Sequence, residues 1–128
     1  TPFYETLLHT HPKCGLHLSA TLDAQSWRTR VPGLLGQSTH QVAKAQEAFG
    51  AACDYVTLSP AFRSISKPDD RRPLITSAQL NQASTFGPVF ALGGVGPEHM
   101  PALRQTKIHG AAVLGSIFAH QHAVDALI

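Results

Sequence analysis

Two apolar segments in the second half of the sequence run directly into glycines, a pattern that can bind an anion through the backbone. Residues 89–92 lead into Gly93 and Gly94, and residues 111–114 lead into Gly115 and Ser116. Glycine lets a backbone N–H approach an anion closely, and a helix that begins there adds partial positive charge. The alternative is that these glycines only permit tight turns. Because two such ends occur one strand–helix unit apart, the pattern favours a phosphate cup, to which the Ser116 hydroxyl would contribute.

Hydroxyl groups and one cation in the middle of the chain supply further candidates for contacting a phosphate. Ser64 and Ser66 stand at alternate positions and Lys67 follows them, so this segment could fold over a phosphate and neutralise it. The alternative for Lys67 is a solvated surface residue. Ser38 ends another apolar segment, where it would either contact a substrate or cap the helix that follows.

The histidines and cysteines do not predict a metal site. The eight histidines form neither an HExxH motif nor part of a Cys/His quartet. His17 lies between Leu16 and Leu18, and we expect it to be a satisfied core residue rather than a substrate contact. Two cysteines do not make a disulfide framework, so we expect a reducing, cytoplasmic compartment.

The composition argues against several other classes of protein. A chain of 128 residues with 43% hydrophobic and 14% charged residues is typical of one globular domain, residues 1–128. A net charge of +2 on scattered basic residues does not favour nucleic acid as a partner. No apolar run reaches the roughly 18–20 residues that cross a membrane, and the start lacks a signal-peptide pattern. The expected partner is therefore a small molecule.

The candidate residues are positioned by a strand–helix alternation. Strands are predicted at residues 15–19, 34–38, 55–58, 89–92 and 111–114, and helices at 2–9, 41–49, 77–85, 97–106 and 116–127. This alternation predicts a parallel α/β sheet with right-handed crossovers. The connection from 59 to 75 is unusually long, and loops of that length are usually functional or disordered. An open, flavodoxin-like sheet of five strands is an alternative to a barrel.

Five motifs resemble the thiamine phosphate synthase/TenI family in their order and spacing. The residues of the third motif are closer to the TenI-like branch of that family. The motifs cover the chain from about Gly15 to Phe118 and are Gly15–Leu18, Ser38–His40, Asp54–Val56 with Ser59–Phe62 and Ser64–Lys67, Ala91–Val95, and Ala111–Gly115. The resemblance implies a (β/α)8 TIM barrel, of which the predicted strands correspond to strands 4–8.

The resemblance also implies an activity and roles for individual residues. Synthases of this family join a pyrimidine diphosphate to a thiazole phosphate and release pyrophosphate, with Mg²⁺. Ser38 then matches the serine near the reacting centre and Lys67 the lysine on the pyrophosphate, which makes both catalytic candidates. The remaining matches are phosphate contacts: Ser64, Ser66, Gly93, Gly94, and Gly115 with the adjacent Ser116.

This sequence departs from the family pattern in ways that weaken the enzymatic prediction. An acidic pair that helps to hold Mg²⁺ is replaced by Ser19–Leu22, so ligands for Mg²⁺ are not evident, although Asp23 follows. Pro60 stands where tautomerases of the family have histidine, which makes that activity the less expected one. Strands 1–3 have no counterpart in the matched segment, so we expect a homo-oligomer or a complementing chain region. The alternatives are a transferase of the synthase type, a non-catalytic phosphate-binding module, or a barrel fragment without its own function.

Overall fold

The computed structural model describes residues 2–64 and 67–115, which form one parallel sheet with helices. The strands are β1 (Leu16–Leu18), β2 (Leu35–Thr39), β3 (Tyr55–Leu58), β4 (Val89–Ala91) and β5 (Gly110–Ala111). Every neighbouring pair is parallel, and the spatial order β1-β2-β3-β4-β5 is the order along the chain. A flavodoxin-like sheet reverses direction at a switch point in its strand order. The observed order has no such switch, so that alternative is wrong and the order is that of a barrel.

The helices fall close to their predicted positions, with two differences. They are α1 (Pro2–Thr10), α2 (Ala24–Arg28), α3 (Val42–Gly50), α4 (Ser77–Ser84) and α5 (Met100–Arg104), the last preceded by a 3₁₀ turn at Pro97–His99. The five-residue α2 was not predicted. The helix expected over 97–106 is instead the 3₁₀ turn followed by the five residues of α5. The helix predicted at 116–127 lies outside the described residues. None of the described helices combines the length and apolar character that crossing a bilayer requires.

One face of the sheet forms the hydrophobic core with the helices. Alternate strand residues, which point to the same face, are fully buried: Leu18, Leu35, Val56, Leu58, Val89 and Ala91. They belong to one cluster with small and aliphatic helix residues: Ala45, Ala48, Leu80 and Ala83. The strand residues at the intervening positions, including His17, Tyr55 and Phe90, are not part of this cluster. We call the face that carries them the inner face, since it would line the interior of a barrel.

The long connection between β3 and α4 is anchored at both of its ends. The Ala61 N–H donates to the carbonyl of Leu92 at 2.9 Å, and the Ile75 N–H donates to the carbonyl of Pro60 at 2.8 Å. The Phe62 ring stacks on the His99 ring with centroids 3.6 Å apart. Residues 59–64 are therefore held against the turn that follows β4.

Candidate functional site

The predicted site residues that the structure describes stand near or after the carboxyl ends of strands β2 to β5. In a parallel sheet all carboxyl ends meet at the same edge. Ser38 is the penultimate residue of β2, Ser64 and Lys67 follow β3, Gly93 and Gly94 follow β4, and Gly115 follows β5. Because β4 and β5 are parallel neighbours, the segments that carry Gly94 and Gly115 both leave the sheet at its carboxyl edge. Ser66 and Ser116 lie outside the described residues.

Gly93 and Gly94 adopt backbone conformations that require glycine. Their φ angles are +96° and +61°, in the left-handed region that side chains disfavour. A Cβ at Gly94 would also lie 2.4 Å from the carbonyl oxygen of Arg63. The turn is therefore pressed against the loop after β3, where the Phe62 N–H donates to the carbonyl of Gly93 at 3.0 Å. These contacts explain both glycines as a tight turn, and binding of phosphate by their backbone stays a prediction.

Ser38 lies in a hydrogen-bonded chain of three side chains across three strands. Its Oγ is 2.9 Å from Nε2 of His17, and Nδ1 of the same ring is 2.9 Å from the hydroxyl oxygen of Tyr55. Ser38 does not cap α3, whose N-cap residue is Gln41. His17 is exposed on the inner face, so the expectation that it belongs to the core is wrong. Although the residue is exposed overall, atoms crowding its ring partly desolvate it and lower the pKa of His17.

Gly36 makes this chain of contacts possible, because β2 separates His17 from Tyr55. The register aligns His17, Gly36 and Tyr55 on β1, β2 and β3. A Cβ at Gly36 would lie 2.1 Å from Cζ of Tyr55, so the phenol ring lies over the glycine to reach the histidine. The ring also packs edge-on against Phe90 with centroids 5.7 Å apart. Burial raises the pKa of Tyr55, which keeps the phenol protonated.

Thr57 is another polar residue of the inner face, and sequence reasoning did not identify it. It pairs in register with Ser38 and is 7% exposed, and its Oγ1 has no hydrogen-bond partner among the described residues. The alternation of residues 55–58 could have placed Tyr55 and Thr57 on one face. It could not have shown which strand positions they face, because that depends on the register between strands.

The loop that carries Ser64 and Lys67 is braced by its other charged residues. Arg63 Nη1 donates to the carbonyl oxygens of Asp70 and Arg72, at 2.9 and 3.0 Å. Arg72 donates to the carboxylate of Asp70, with the closest contact at 2.7 Å, and these hydrogen bonds hold the pKa of Asp70 far below its usual range. Lys67 is exposed, and its ammonium forms no salt bridge within the part of the chain that the structure describes. Arg71 of the same loop is likewise exposed and forms no salt bridge among the described residues, so both residues have a charge that is available to a ligand.

The described carboxylates do not fit a Mg²⁺ site. Within residues 2–64 and 67–115 there is no group of three or more His, Cys, Asp or Glu side chains that could hold a metal ion. Asp23, the acidic residue closest to the family's metal motif, accepts from the backbone N–H of Gln25 at the start of α2. Asp54 lies at the opposite edge of the sheet and pairs with Arg28 at 2.9 Å.

Comparisons with known proteins agree with this architecture. A thiamine-phosphate synthase from Parasynechococcus marenigrum is 39% identical over 89 residues, which are 67% of this chain and 25% of that protein. One from Caldivirga maquilingensis is 36% identical over 92 residues, which are 72% of this chain and 45% of that protein. The solved thiamine phosphate pyrophosphorylase from Pyrococcus furiosus superposes with a TM-score of 0.75 at 22% identity, covering 88% of this chain and 56% of that one.

The superposition identifies the fold, and the coverages give the extent of the match. The five parallel strands and their helices form an incomplete barrel of the (β/α)8 type. The chain spans between about a quarter and a half of the length of the relatives described above. The sequence profile described as thiamine monophosphate synthase matches residues 7–117. Because that match covers most of the 128 residues, the chain belongs to the thiamine monophosphate synthase (TMP-TENI) family.

Proposed function

We propose that this chain acts in thiamine biosynthesis by binding a thiazole phosphate or thiamine phosphate at the carboxyl edge of its sheet. The observation that supports this most is that candidate residues stand near or after the carboxyl ends of four adjacent strands, β2 to β5. The family supplies the class of ligand, because the relatives above are thiamine-phosphate synthases.

Each part of the edge has a separate role in the proposal. Lys67 neutralises the phosphate or pyrophosphate bound beside this loop, and the hydroxyls of Ser64 and Ser66 donate hydrogen bonds to the oxygens of the thiazole phosphate. The turn at Gly93 and Gly94 contributes backbone N–H groups beside them. Gly115 and Ser116 close the cup from the neighbouring strand.

The proposed reaction is the synthase-type transfer, which joins a pyrimidine diphosphate to a thiazole phosphate. A bond forms between the pyrimidine and the thiazole as the bond from the pyrimidine to its diphosphate breaks, and pyrophosphate is released. Lys67 stabilises the negative charge of the departing pyrophosphate, and the Ser38 hydroxyl donates to an oxygen near the reacting centre. Mg²⁺ would neutralise further charge on the pyrophosphate. The described residues do not supply its ligands, so no step of this proposal passes through the metal. Tautomerase activity is less favoured because Pro60 occupies the position of the family's catalytic histidine.

A non-catalytic phosphate-binding role is the second candidate. It is favoured by the lack of a clustered set of carboxylates among the described residues. In that role the chain binds the phosphate ester and depends on a partner, another copy or a further chain region, for any chemistry. Thiamine phosphate formation by the chain with both substrates and Mg²⁺ would establish the first candidate over the second.

Calorimetric titration tests the binding that both candidates share. We expect thiazole phosphate and thiamine phosphate to release or absorb heat on binding, and the unphosphorylated thiazole alcohol to bind much more weakly. Absence of binding by both phosphate esters would refute the proposal, since it would leave a barrel fragment without a ligand of this class.

The first prediction concerns Lys67. Lys67→Ala should weaken binding of thiamine phosphate by roughly 1.5–3 kcal/mol, the scale of a hydrogen bond to a charged group. Lys13→Ala is the matched control, because Lys13 precedes β1 at the opposite edge of the sheet and its removal lowers the net charge equally. Equal dissociation constants for Lys67→Ala and Lys13→Ala would show that Lys67 is a solvated surface residue that does not contact the phosphate.

A further inference from the structure

We propose that Tyr55 and His17 act as positioning residues that fix the direction of the hydrogen bond to Ser38. In this arrangement the Ser38 hydroxyl accepts from His17 and keeps its own proton free to donate to an anionic oxygen. The donation to a phosphate ester rests on the function proposed above, whereas the direction of the hydrogen bonds can be tested without any ligand.

The geometry leaves two possible directions for the chain of hydrogen bonds. A neutral imidazole carries a proton on one nitrogen and a lone pair on the other. If Nδ1 is protonated, it donates to the Tyr55 hydroxyl oxygen, and the Ser38 hydroxyl must donate its hydrogen bond to Nε2. If Nε2 is protonated, it donates to Ser38, and the Tyr55 hydroxyl donates to Nδ1. Both distances are 2.9 Å, so distance alone does not choose between them.

The relative acidity of the two hydroxyls chooses the second direction. A phenol, with a pKa of about 10, is a far stronger hydrogen-bond donor and a weaker acceptor than an aliphatic alcohol. Among the described residues, the Tyr55 hydroxyl has only the His17 ring as a hydrogen-bond partner. Donation from Tyr55 to Nδ1 therefore places the imidazole proton on Nε2, which faces Ser38.

The neutral state of His17 is favoured by its surroundings. Partial desolvation lowers the pKa of the ring, and burial raises the pKa of the Tyr55 phenol, so both groups hold the protonation state that the arrangement needs near neutral pH. No carboxylate contacts the ring among the described hydrogen bonds and salt bridges.

The consequence for Ser38 is a defined chemical role. Its lone pair is occupied by the Nε2–H donor, and its proton has no other partner within the described chain. A serine in that state donates to an anion, whereas the opposite direction would present lone pairs that repel one. The position of Ser38 near the carboxyl end of β2 places this donor at the edge where the phosphate ester is proposed to bind.

The decisive measurement is the tautomer of His17 in the ligand-free chain. Long-range ¹H–¹⁵N NMR at about pH 8, above the ordinary histidine pKa, distinguishes a protonated Nε2 from a protonated Nδ1. The His17 signal among the eight histidines is identified by its loss in His17→Asn. We expect a protonated Nε2, and a protonated Nδ1 in the wild-type chain would overturn the proposal. The tautomer is read from the spectrum of the wild-type chain, and His17→Asn serves only to assign the signal.

Tyr55→Phe tests whether Tyr55 sets the tautomer. The substitution keeps the ring that packs on Phe90 and removes only the hydroxyl, so we expect the His17 tautomer to shift toward Nδ1–H or a mixture. Tyr4→Phe is the control, because it removes the hydroxyl of the chain's other tyrosine, which donates to the carbonyl of Cys14 at 3.0 Å. An unchanged tautomer in Tyr55→Phe would overturn the role assigned to Tyr55.

Binding of thiamine phosphate then tests the effect on Ser38. We expect Tyr55→Phe to weaken binding by about 2- to 10-fold, the scale of one hydrogen bond. In a Ser38→Ala background it should have no further effect. Equal losses in both backgrounds would overturn the coupling through Ser38. If the wild-type chain shows the Nε2 tautomer but binds no phosphate ester, the proposed function fails and the hydrogen-bond direction stands.

Discussion

Two buried threonines on neighbouring strands differ at the level of single atoms. Thr39 Oγ1 donates to the carbonyl oxygen of Thr57 at 2.8 Å, whereas Thr57 Oγ1 has no partner among the described residues. A satisfied buried hydroxyl contributes modestly to stability, but an unsatisfied one carries a desolvation cost with no return. The stability of the chain should therefore respond differently to the same substitution at the two positions.

Replacing each threonine by valine measures this difference. Thr39→Val should lower the free energy of unfolding by about 1 kcal/mol, because it removes a made hydrogen bond. Thr57→Val should leave stability unchanged or raise it by up to about 1 kcal/mol. Urea denaturation of both variants provides the comparison, with Thr39→Val as the internal control. An equal loss in both would mean that the Thr57 hydroxyl finds a partner outside the described residues.

At the level of elements, Asp54 ties the start of β2 to the end of α2. Its Oδ2 accepts from the Leu35 N–H at 2.8 Å and from Arg28 Nη1 at 2.9 Å. Arg28 also donates to the Gly33 carbonyl at 2.7 Å. The backbone hydrogen bond from Leu35 is the main cause that lowers the pKa of Asp54, and the hydrogen bond from Arg28 adds to it. The site at the other edge depends on this register, because slipping β2 by one residue would turn Ser38 away from His17.

The pH dependence of folding provides the test for Asp54. A carboxyl whose pKa is lowered on folding contributes stability above its unfolded pKa of 3.8, and that contribution is lost as the pH falls through the folded value. Since the side chain is 42% exposed, Asp54→Asn should cost only about 1 kcal/mol at pH 7.

Urea denaturation from pH 7 down to about pH 3 follows this cost for Asp54→Asn. The difference from the wild-type chain should shrink below the ordinary carboxyl pKa, since the wild-type carboxylate is then also becoming neutral. Asp69→Asn, at an exposed loop position, should show no such trend. A constant difference at all pH values would contradict a role for the charge.

At the scale of the whole molecule, the main feature is that five strands leave two unpaired sheet edges and an uncovered inner face among the described residues. β1 and β5 each have one neighbour among the described strands, so each presents an unpaired edge there. The inner face carries the half-buried rings of Tyr55 and Phe90, which lie outside the core cluster. Unpaired edges and apolar faces favour association with another chain.

Sedimentation of the chain over a range of concentrations tests the expected association. We expect a mass above that of one chain, increasing with concentration, because a second copy can cover the inner face. Phe90→Lys should lower this association, while Phe86→Lys, at an exposed phenylalanine outside the strands, should change it less. A single-chain mass at every concentration would contradict the expectation of an oligomer.

The order of elements and the family were predictable from the sequence because both depend on local patterns. Apolar segments bounded by turn residues identified β1 to β4 to within one residue at each end. The fifth strand, predicted at 111–114, is the shorter Gly110–Ala111, which shares one residue with the prediction. The motifs from Gly15 to Gly115 identified the family that the profile match confirmed. The limits of this approach appear at short elements. The five residues of α2 contain too little apolar periodicity to be recognised.

Only the tertiary structure decided which residues meet on the inner face. His17 is 21 residues from Ser38 and 38 from Tyr55, and their contacts depend on the register of three strands and on the space above Gly36. The lack of a hydrogen-bond partner for the Thr57 hydroxyl among the described residues likewise depends on which side chains the fold places around it. The sequence determines which way side chains alternate along each strand, because that period is a local property of the backbone. The partners across strands depend on how separate segments align, and that alignment exists only once the sheet has formed.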